Sequence, residues 1–208
     1  MTTGNLYIIS APSGAGKTSL VKQLTEELDK LTVSISHTTR QQRPGEVDGQ
    51  DYFFVSVDEF KTMLSEQAFL EHAQVFDNYY GTARQTVEES LNEGIDVILE
   101  IDWQGAQQIK KILPDCIAIF ILPPSVSVLE QRLRNRGQDS EETIARRMRD
   151  AVTEMSHYGE YDYMIVNDVF ERALNSLISI VVSHRFHIDK QREALQSLLQ
   201  ELLSREQK

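Results

Sequence analysis

The segment Ala11-Pro12-Ser13-Gly14-Ala15-Gly16-Lys17-Thr18 restricts the fold more than any other stretch of the chain. It follows a short apolar run, L-Y-I-I-S at 6–10. It leads into Thr18-Ser19-Leu20-Val21-Lys22-Gln23-Leu24, whose apolar spacing predicts a helix continuing to about Lys30. A strand, a tight glycine-bearing loop and a helix in this order form the setting of a phosphate-binding loop. Successive backbone N–H groups and the positive end of the helix dipole then surround the phosphates of a nucleoside triphosphate. On this reading Ser13, Gly14, Ala15, Gly16, Lys17, Thr18 and Ser19 hold ATP, with Lys17 reaching the transferred phosphoryl group and the Thr18 hydroxyl facing Mg2+. The usual pattern begins with Gly, and this chain has Ala11, so position 11 must adopt a backbone conformation open to an L-residue.

Downstream, strands and helices alternate. Residues 32–36 read as a strand, 37–51 as a polar, turn-rich stretch, and 52–57 as a weak strand. Asp58 is the expected N-cap of a helix to about Gln67. The stretch Asp77-Asn78-Tyr79-Tyr80-Gly81-Thr82 reads as turn-like, before a helix from about Arg84 to Asn92. Residues 95–102 and 116–122 are continuous apolar runs, the signature of strands buried on both faces of a parallel sheet, with a helix from Ala106 to Leu113 between them. Residues 125–158 read as two helices broken at Gly137, the second capped by Asp139 with Glu142 at the capping-box position. A strand at 163–166 and one long amphipathic helix from about Glu171 complete an α/β pattern with a parallel sheet.

Composition removes several function classes. The 208 residues suffice for a core without disulfides, and a hydrophobic content of 40% is that of an ordinary globular chain. A net charge of −11 argues against general nucleic-acid binding, which needs a broad basic surface. Basic residues must instead gather locally wherever phosphates bind. The single cysteine, Cys116, lies in an apolar run and reads as a core residue of a protein in a reducing compartment. No apolar stretch reaches the roughly 20 residues of a membrane span, and the first residues lack the features of a signal peptide. The expected location is cytoplasmic, without membrane partners. The histidines show no zinc-ligand spacing, so the expected metal is Mg2+ carried by the nucleotide. A homo-oligomer is compatible with the closing helix, but the sequence does not specify one.

The stretch S-I-S-H-T-T-R-Q-Q-R-P-G-E-V-D-G-Q-D-Y-F-F places Arg40 and Arg43 in a loop near Ser36 and Tyr52, a set suited to bidentate binding of a phosphate monoester. Here the chain resembles guanylate kinase. The resemblance extends through F-L-E-H-A around Glu71, D-N-Y-Y-G-T, L-E-I-D-W-Q-G and R-N-R-G-Q-D-S-E-E-T-I-A-R-R-M, and so covers essentially the whole length. It implies a P-loop NTPase-type core flanked by helices (about 1–35, 93–124 and 159–208), an inserted GMP-binding lobe (about 36–92) and a helical lid (about 125–158).

The same resemblance gives the site. Ser36, Arg40, Arg43, Tyr52 and Tyr80 would hold the GMP phosphate, and Glu71, Thr82, Glu100 and Asp102 would surround the guanine base or the metal-side phosphates. Asp102 is also the candidate for Mg2+ through water. Thr82 and Glu100 stand where some relatives carry Ser and Asp. Arg136 and Arg147 would swing over the ATP phosphates, with Lys17 and Arg40 completing the catalytic set. Asn167 and Asp168 match the loop bordering adenine. Guanine has its own chemical argument, because its ring N1–H and 2-amino group form a donor pair that one carboxylate, Glu71, can accept. Adenine lacks that pair and would leave a desolvated carboxylate unsatisfied. No general base is expected, since the attacking phosphate oxygen, with a pKa of about 6, is already largely ionised at neutral pH. Two other readings compete: a kinase of this fold with a different phosphorylated acceptor, and a non-catalytic scaffold module.

Overall fold

The computed structural model describes residues 3–75, 77–135 and 140–204. The apolar runs assemble into a five-stranded sheet in which every pairing is parallel. Its strands are β1 (Leu6–Ser10), β2 (Leu31–Val33), β7 (Asp96–Leu99), β8 (Ile117–Leu122) and β9 (Tyr163–Val166), in the order β2-β7-β1-β8-β9. Each residue of β1 and β7 is buried, as the unbroken hydrophobic runs require of strands covered on both faces.

Two apolar layers cover the sheet. On one face Tyr7, Ile9, Ile98, Ile119 and Ile121 pack against α1 (Lys17–Glu27) and α7 (Phe170–Arg185) through Leu20, Leu24, Leu174 and Leu177. On the other, Ile8, Val97, Leu99 and Ala118 meet α3 (Arg84–Asn92) and α4 (Trp103–Ile112) through Val87, Ala106 and Ile109. Cys116 belongs to this second layer, and burial pushes its thiol up to about 11, so it stays protonated.

The segment between β2 and α3 builds a smaller mixed sheet. It contains β3 (His37–Thr38), β4 (Phe53–Phe54), β5 (Phe69–Val75) and β6 (Asn78–Ala83) in the order β4-β3-β6-β5, with α2 (Val57–Ser65) alongside. Ser56, not Asp58, caps α2. Its hydroxyl accepts from the Glu59 N–H while the Glu59 carboxylate accepts from the Ser56 N–H, a reciprocal capping box that leaves Asp58 in the first turn.

The D-N-Y-Y-G-T stretch is strand rather than turn from Asn78 onward. Only Asp77 takes the left-handed conformation of a turn residue, at φ 68°. Gly81 serves ring packing instead, since a Cβ there would stand 2.9 Å from Phe69, whose ring stacks on Phe60.

Helices α5 (Val126–Asn135) and α6 (Glu141–Ser156) pack together through Leu129, Leu133, Met148 and Ala151. The Ser140 hydroxyl caps α6, accepting from the Thr143 N–H; Gly137 and Asp139 lie outside the described residues. Beyond α7 the expected single closing helix divides into α8 (Ile188–Ala194) and α9 (Gln196–Ser204). The C-caps, Phe186 and Leu195, depart from helical geometry, so amphipathic spacing ran on across real breaks.

Candidate active site

The phosphate loop joins β1 to α1. Gly14 and Gly16 both take φ 93°, a left-handed conformation that their missing Cβ atoms permit. Ala11 is not among the positive-φ residues, so it needs no glycine. Gly16 is the N-cap of α1, no side chain bonds to that end, and no acid sits in the first turn. The N-termini of α2, α4 and α6 each have a side-chain cap, whereas those of α1, α3 and α7 have none. Lys17 opens α1, and Thr18 and Ser19 follow it on the exposed side.

Lys17 Nζ lies 3.9 Å from Glu100 Oε2, just past the end of β7. Glu100 also faces the smaller sheet. Burial foremost, then the neighbouring Tyr80 and the charge of Glu100, raise the Tyr52 phenol above its ordinary pKa. The Tyr52 and Tyr80 rings meet edge to face at 6.1 Å, and the Arg40 guanidinium lies over Tyr52 at 5.3 Å. Glu100 is thus paired loosely with the phosphate loop, and its charge is felt at Tyr52 in the Arg40–Tyr52–Tyr80 cluster.

Arg40 is held by a partner the sequence reading missed. Its Nη2 donates to Glu46 Oε1 at 2.7 Å, and the Arg43 N–H donates to Glu46 Oε2 at 2.8 Å. Partial burial works against the Glu46 charge, but the bonds from Arg40 and Arg43 outweigh it and hold the carboxyl below its usual range. The R-x-x-R-P-G-E spacing carried the signal, an acid three residues after the second arginine. Ser36 sits immediately before β3, where its carbonyl accepts from the Phe53 N–H.

Glu71 and Thr82 pair across β5 and β6, next to a register shift between Phe69 and Glu71. The Thr82 hydroxyl donates to Glu71 Oε1 at 2.6 Å, and the two residues are 0% and 3% exposed. Burial pushes the Glu71 carboxyl up to about 7, with nearby Asp102 adding to the shift and the Thr82 bonds opposing it. Gly105 makes the approach to α4 feasible, since a Cβ there would lie 2.6 Å from Glu71 Oε2.

Asp102 is the N-cap of α4, its Oδ1 accepting from the Gly105 N–H at 2.9 Å, while Oδ2 is 3.4 Å from Gln104 Nε2. Trp103 stacks on His157 at 3.8 Å. From α6, Glu154 turns toward the phosphate loop. Burial raises its carboxyl to about 7 despite the pull of Lys17, and its Oε2 is buried without a hydrogen-bond partner among the described residues. Nothing in the sequence distinguished Glu154 from the other acids of that stretch. Arg147 is half-buried on α6, and Arg136 lies outside the described residues.

Asn167, 5% exposed, donates from Nδ2 to the Ala15 carbonyl at 2.8 Å. Asp168 accepts from the Val169 N–H and from Arg172, at the start of α7. It lines a cavity of about 570 Å³ between β9 and α7.

Among the described residues no group of three or more His, Cys, Asp or Glu side chains could hold a metal ion.

The guanylate kinase family model matches residues 3–184, which is nearly the whole chain up to the last turn of α7. The chain belongs to the guanylate kinase family. A guanylate kinase from Methylococcus capsulatus is 61% identical over 203 residues, covering 98% of this chain and 100% of its own length. One from Escherichia coli K12 is 58% identical over 206 residues with the same coverage. The crystal structure of guanylate kinase from Anaplasma phagocytophilum superposes with a TM-score of 0.78 at 32% identity, covering 94% of this chain and 95% of that one. Guanylate kinase relatives thus span the chain from end to end, and the α/β core with its parallel sheet is the family's.

Proposed function

We propose that the chain transfers the γ-phosphoryl group of ATP to GMP, producing ADP and GDP within purine nucleotide metabolism. Family membership supports the reaction class, and one geometric observation supports its layout. Glu100 lies 3.9 Å from Lys17, at the phosphate loop, and its charge acts on Tyr52, which carries the Arg40 guanidinium, so donor and acceptor phosphates would meet on its side of the loop. Arg40, Arg43, Tyr52, Tyr80 and Ser36 would take the GMP phosphate, and Glu71 with Thr82 would read the guanine edge.

Thr18 and Asp102, the latter through water, are the protein oxygens offered to Mg2+, which when bound neutralises charge on the transferring phosphates. Lys17 and Arg40 would neutralise charge from the two sides, with Arg147 and Arg136 joining from the lid. Positioning and charge neutralisation then carry the reaction without a general base. No helix among the described residues is long and apolar enough to cross a membrane, and the buried Cys116 thiol suits a cytoplasmic, reducing setting.

The test is ADP production from Mg-ATP with GMP, dGMP, AMP, CMP or UMP as acceptor. Turnover confined to the guanine nucleotides is the expected result. Equal turnover of AMP would remove Glu71 from base recognition.

A further inference from the structure

The Ala15 carbonyl is held from two directions. It accepts from Asn167 Nδ2 at 2.8 Å and from Arg132 Nη1 at 3.2 Å, which engages both of its lone pairs. Arg132 Nη2 donates in turn to the Asn167 carbonyl at 3.1 Å, closing a triangle between α5, the phosphate loop and the end of β9. Asn167 is itself fixed, because its N–H donates to the Leu122 carbonyl at the end of β8.

Glycines make the contact feasible. A Cβ on Gly16 would meet Asn167 Nδ2 at 2.4 Å, and a Cβ on Gly14 would stand 3.1 Å from Leu129 and from Leu133 of α5. These glycines therefore do more than allow φ 93°. They let α5 and Asn167 close on the outer side of the loop.

A trans peptide is planar, with its C=O and N–H pointing in opposite directions. Holding the Ala15 carbonyl outward consequently aims the Gly16 N–H inward, toward the concave side of the loop. We propose that Arg132 and Asn167 clamp the Ala15–Gly16 peptide and preset the loop for the ATP phosphates, which makes both of them positioning residues. A clamp formed before binding spares the nucleotide the cost of ordering that peptide. The same geometry makes α5 a fixed stem of the helical pair, bolted to the loop it would otherwise swing over.

The proposal rests on the ATP-site reading above, so its test uses two independent readouts. The first is amide hydrogen exchange of the 11–18 segment in the nucleotide-free protein, compared among the unaltered chain, Arg132→Met, Arg132→Lys and Asn167→Ala. Faster exchange in all three variants is expected. Unchanged exchange overturns the clamp.

The second is calorimetric binding of ADP and of inorganic tripolyphosphate. Losing one of these bonds should weaken both ligands by the same factor, about tenfold. The KM for GMP should stay within about twofold of its original value. Arg132→Lys keeps the charge but lacks the planar fork that spans two carbonyls, so it should not restore affinity.

Two results would overturn the proposal here as well. One is restored tripolyphosphate affinity in Arg132→Lys, which would make charge alone the cause. The other is an Asn167→Ala loss confined to ADP, which would make Asn167 an adenine contact. Should the unaltered chain bind no tripolyphosphate, the ATP-site reading falls, while exchange still decides the clamp.

Discussion

Thr82 donates its hydroxyl to Glu71 at 2.6 Å from directly across the β5–β6 pair, so one carboxylate oxygen is oriented before any substrate arrives. A carboxylate this deeply buried loses stability by ionising, and it regains interaction when a donor pair such as the guanine edge meets it. Glu71→Gln preserves shape but replaces an acceptor oxygen with a donor. The expected result is a loss of about 10- to 100-fold in kcat/KM for GMP, with ADP affinity unchanged. Steady-state kinetics and calorimetry check it, and an equal loss for both nucleotides would place Glu71 outside the base site.

The same carboxyl sets a pH dependence. Its folded pKa of about 7 lies above the ordinary 4.5 of the unfolded chain. The folded state therefore holds the proton more tightly, and stability falls as pH rises from about 4.5 to about 7, then stays at the lower level. Glu71→Gln removes that penalty. Its melting temperature should exceed that of the original chain at pH 8, and the gap should be much smaller at pH 5. Thermal unfolding at the two pH values decides the point.

Substrate affinity should respond in the opposite sense. At the proposed base site GMP would bind the ionised carboxylate, so its binding should weaken as pH falls below about 7. The substrate phosphate also protonates near about 6, so Glu71→Gln supplies the reference. The original chain should lose more GMP affinity between pH 8 and pH 6 than the variant does. Parallel loss in both would assign the effect to the substrate alone.

How far the sequence disclosed this site depended on whether each residue's role was local. The phosphate loop was legible because strand, loop and helix are contiguous and the chemistry lies in the backbone. The smaller sheet was harder. Asn78 to Ala83 carries Asn and Gly, which resemble a turn, yet Gly81 is there to clear Phe69 and Phe60, a long-range packing demand invisible to local reading. Asp58 looked like a cap because it precedes an apolar run, but Ser56 with Glu59 satisfies two backbone donors at once.

Glu71 was reached through resemblance, since one acid in F-L-E-H-A has no local mark of burial. Arg132 was lost among neighbouring arginines for the same reason. Its partners, Ala15 and Asn167, are 117 and 35 residues away along the chain, and only tertiary structure brings them together.

Lys17 faces Glu100 at 3.9 Å, a loose pair in which the ammonium remains available to an incoming phosphate. Lys17→Met should abolish ADP production while leaving GMP binding detectable by calorimetry, because the acceptor contacts proposed above come from the segment around the smaller sheet. Undiminished turnover would remove Lys17 from the transfer step. Glu100→Gln offers a complementary measurement. Removing a negative charge beside the phosphates should tighten tripolyphosphate binding.

Gly105 yields the most specific expectation. It lies in the first turn of α4, where Ala is favoured over Gly by about 0.5–1 kcal/mol on backbone grounds alone. A methyl group there would stand 2.6 Å from Glu71 Oε2, closer than real contacts allow, so the carboxylate must move. Its tie to Thr82 resists that motion, and the groups around it are buried. Gly105→Ala should therefore lower the melting temperature modestly, the backbone gain offsetting part of the clash, while raising the KM for GMP by about tenfold or more. ADP affinity should not change, because the added methyl group would face Glu71 and Ile101 rather than the phosphate loop. A variant with intact GMP kinetics would mean that Glu71 can shift without consequence, and base recognition would then have to rest on other groups.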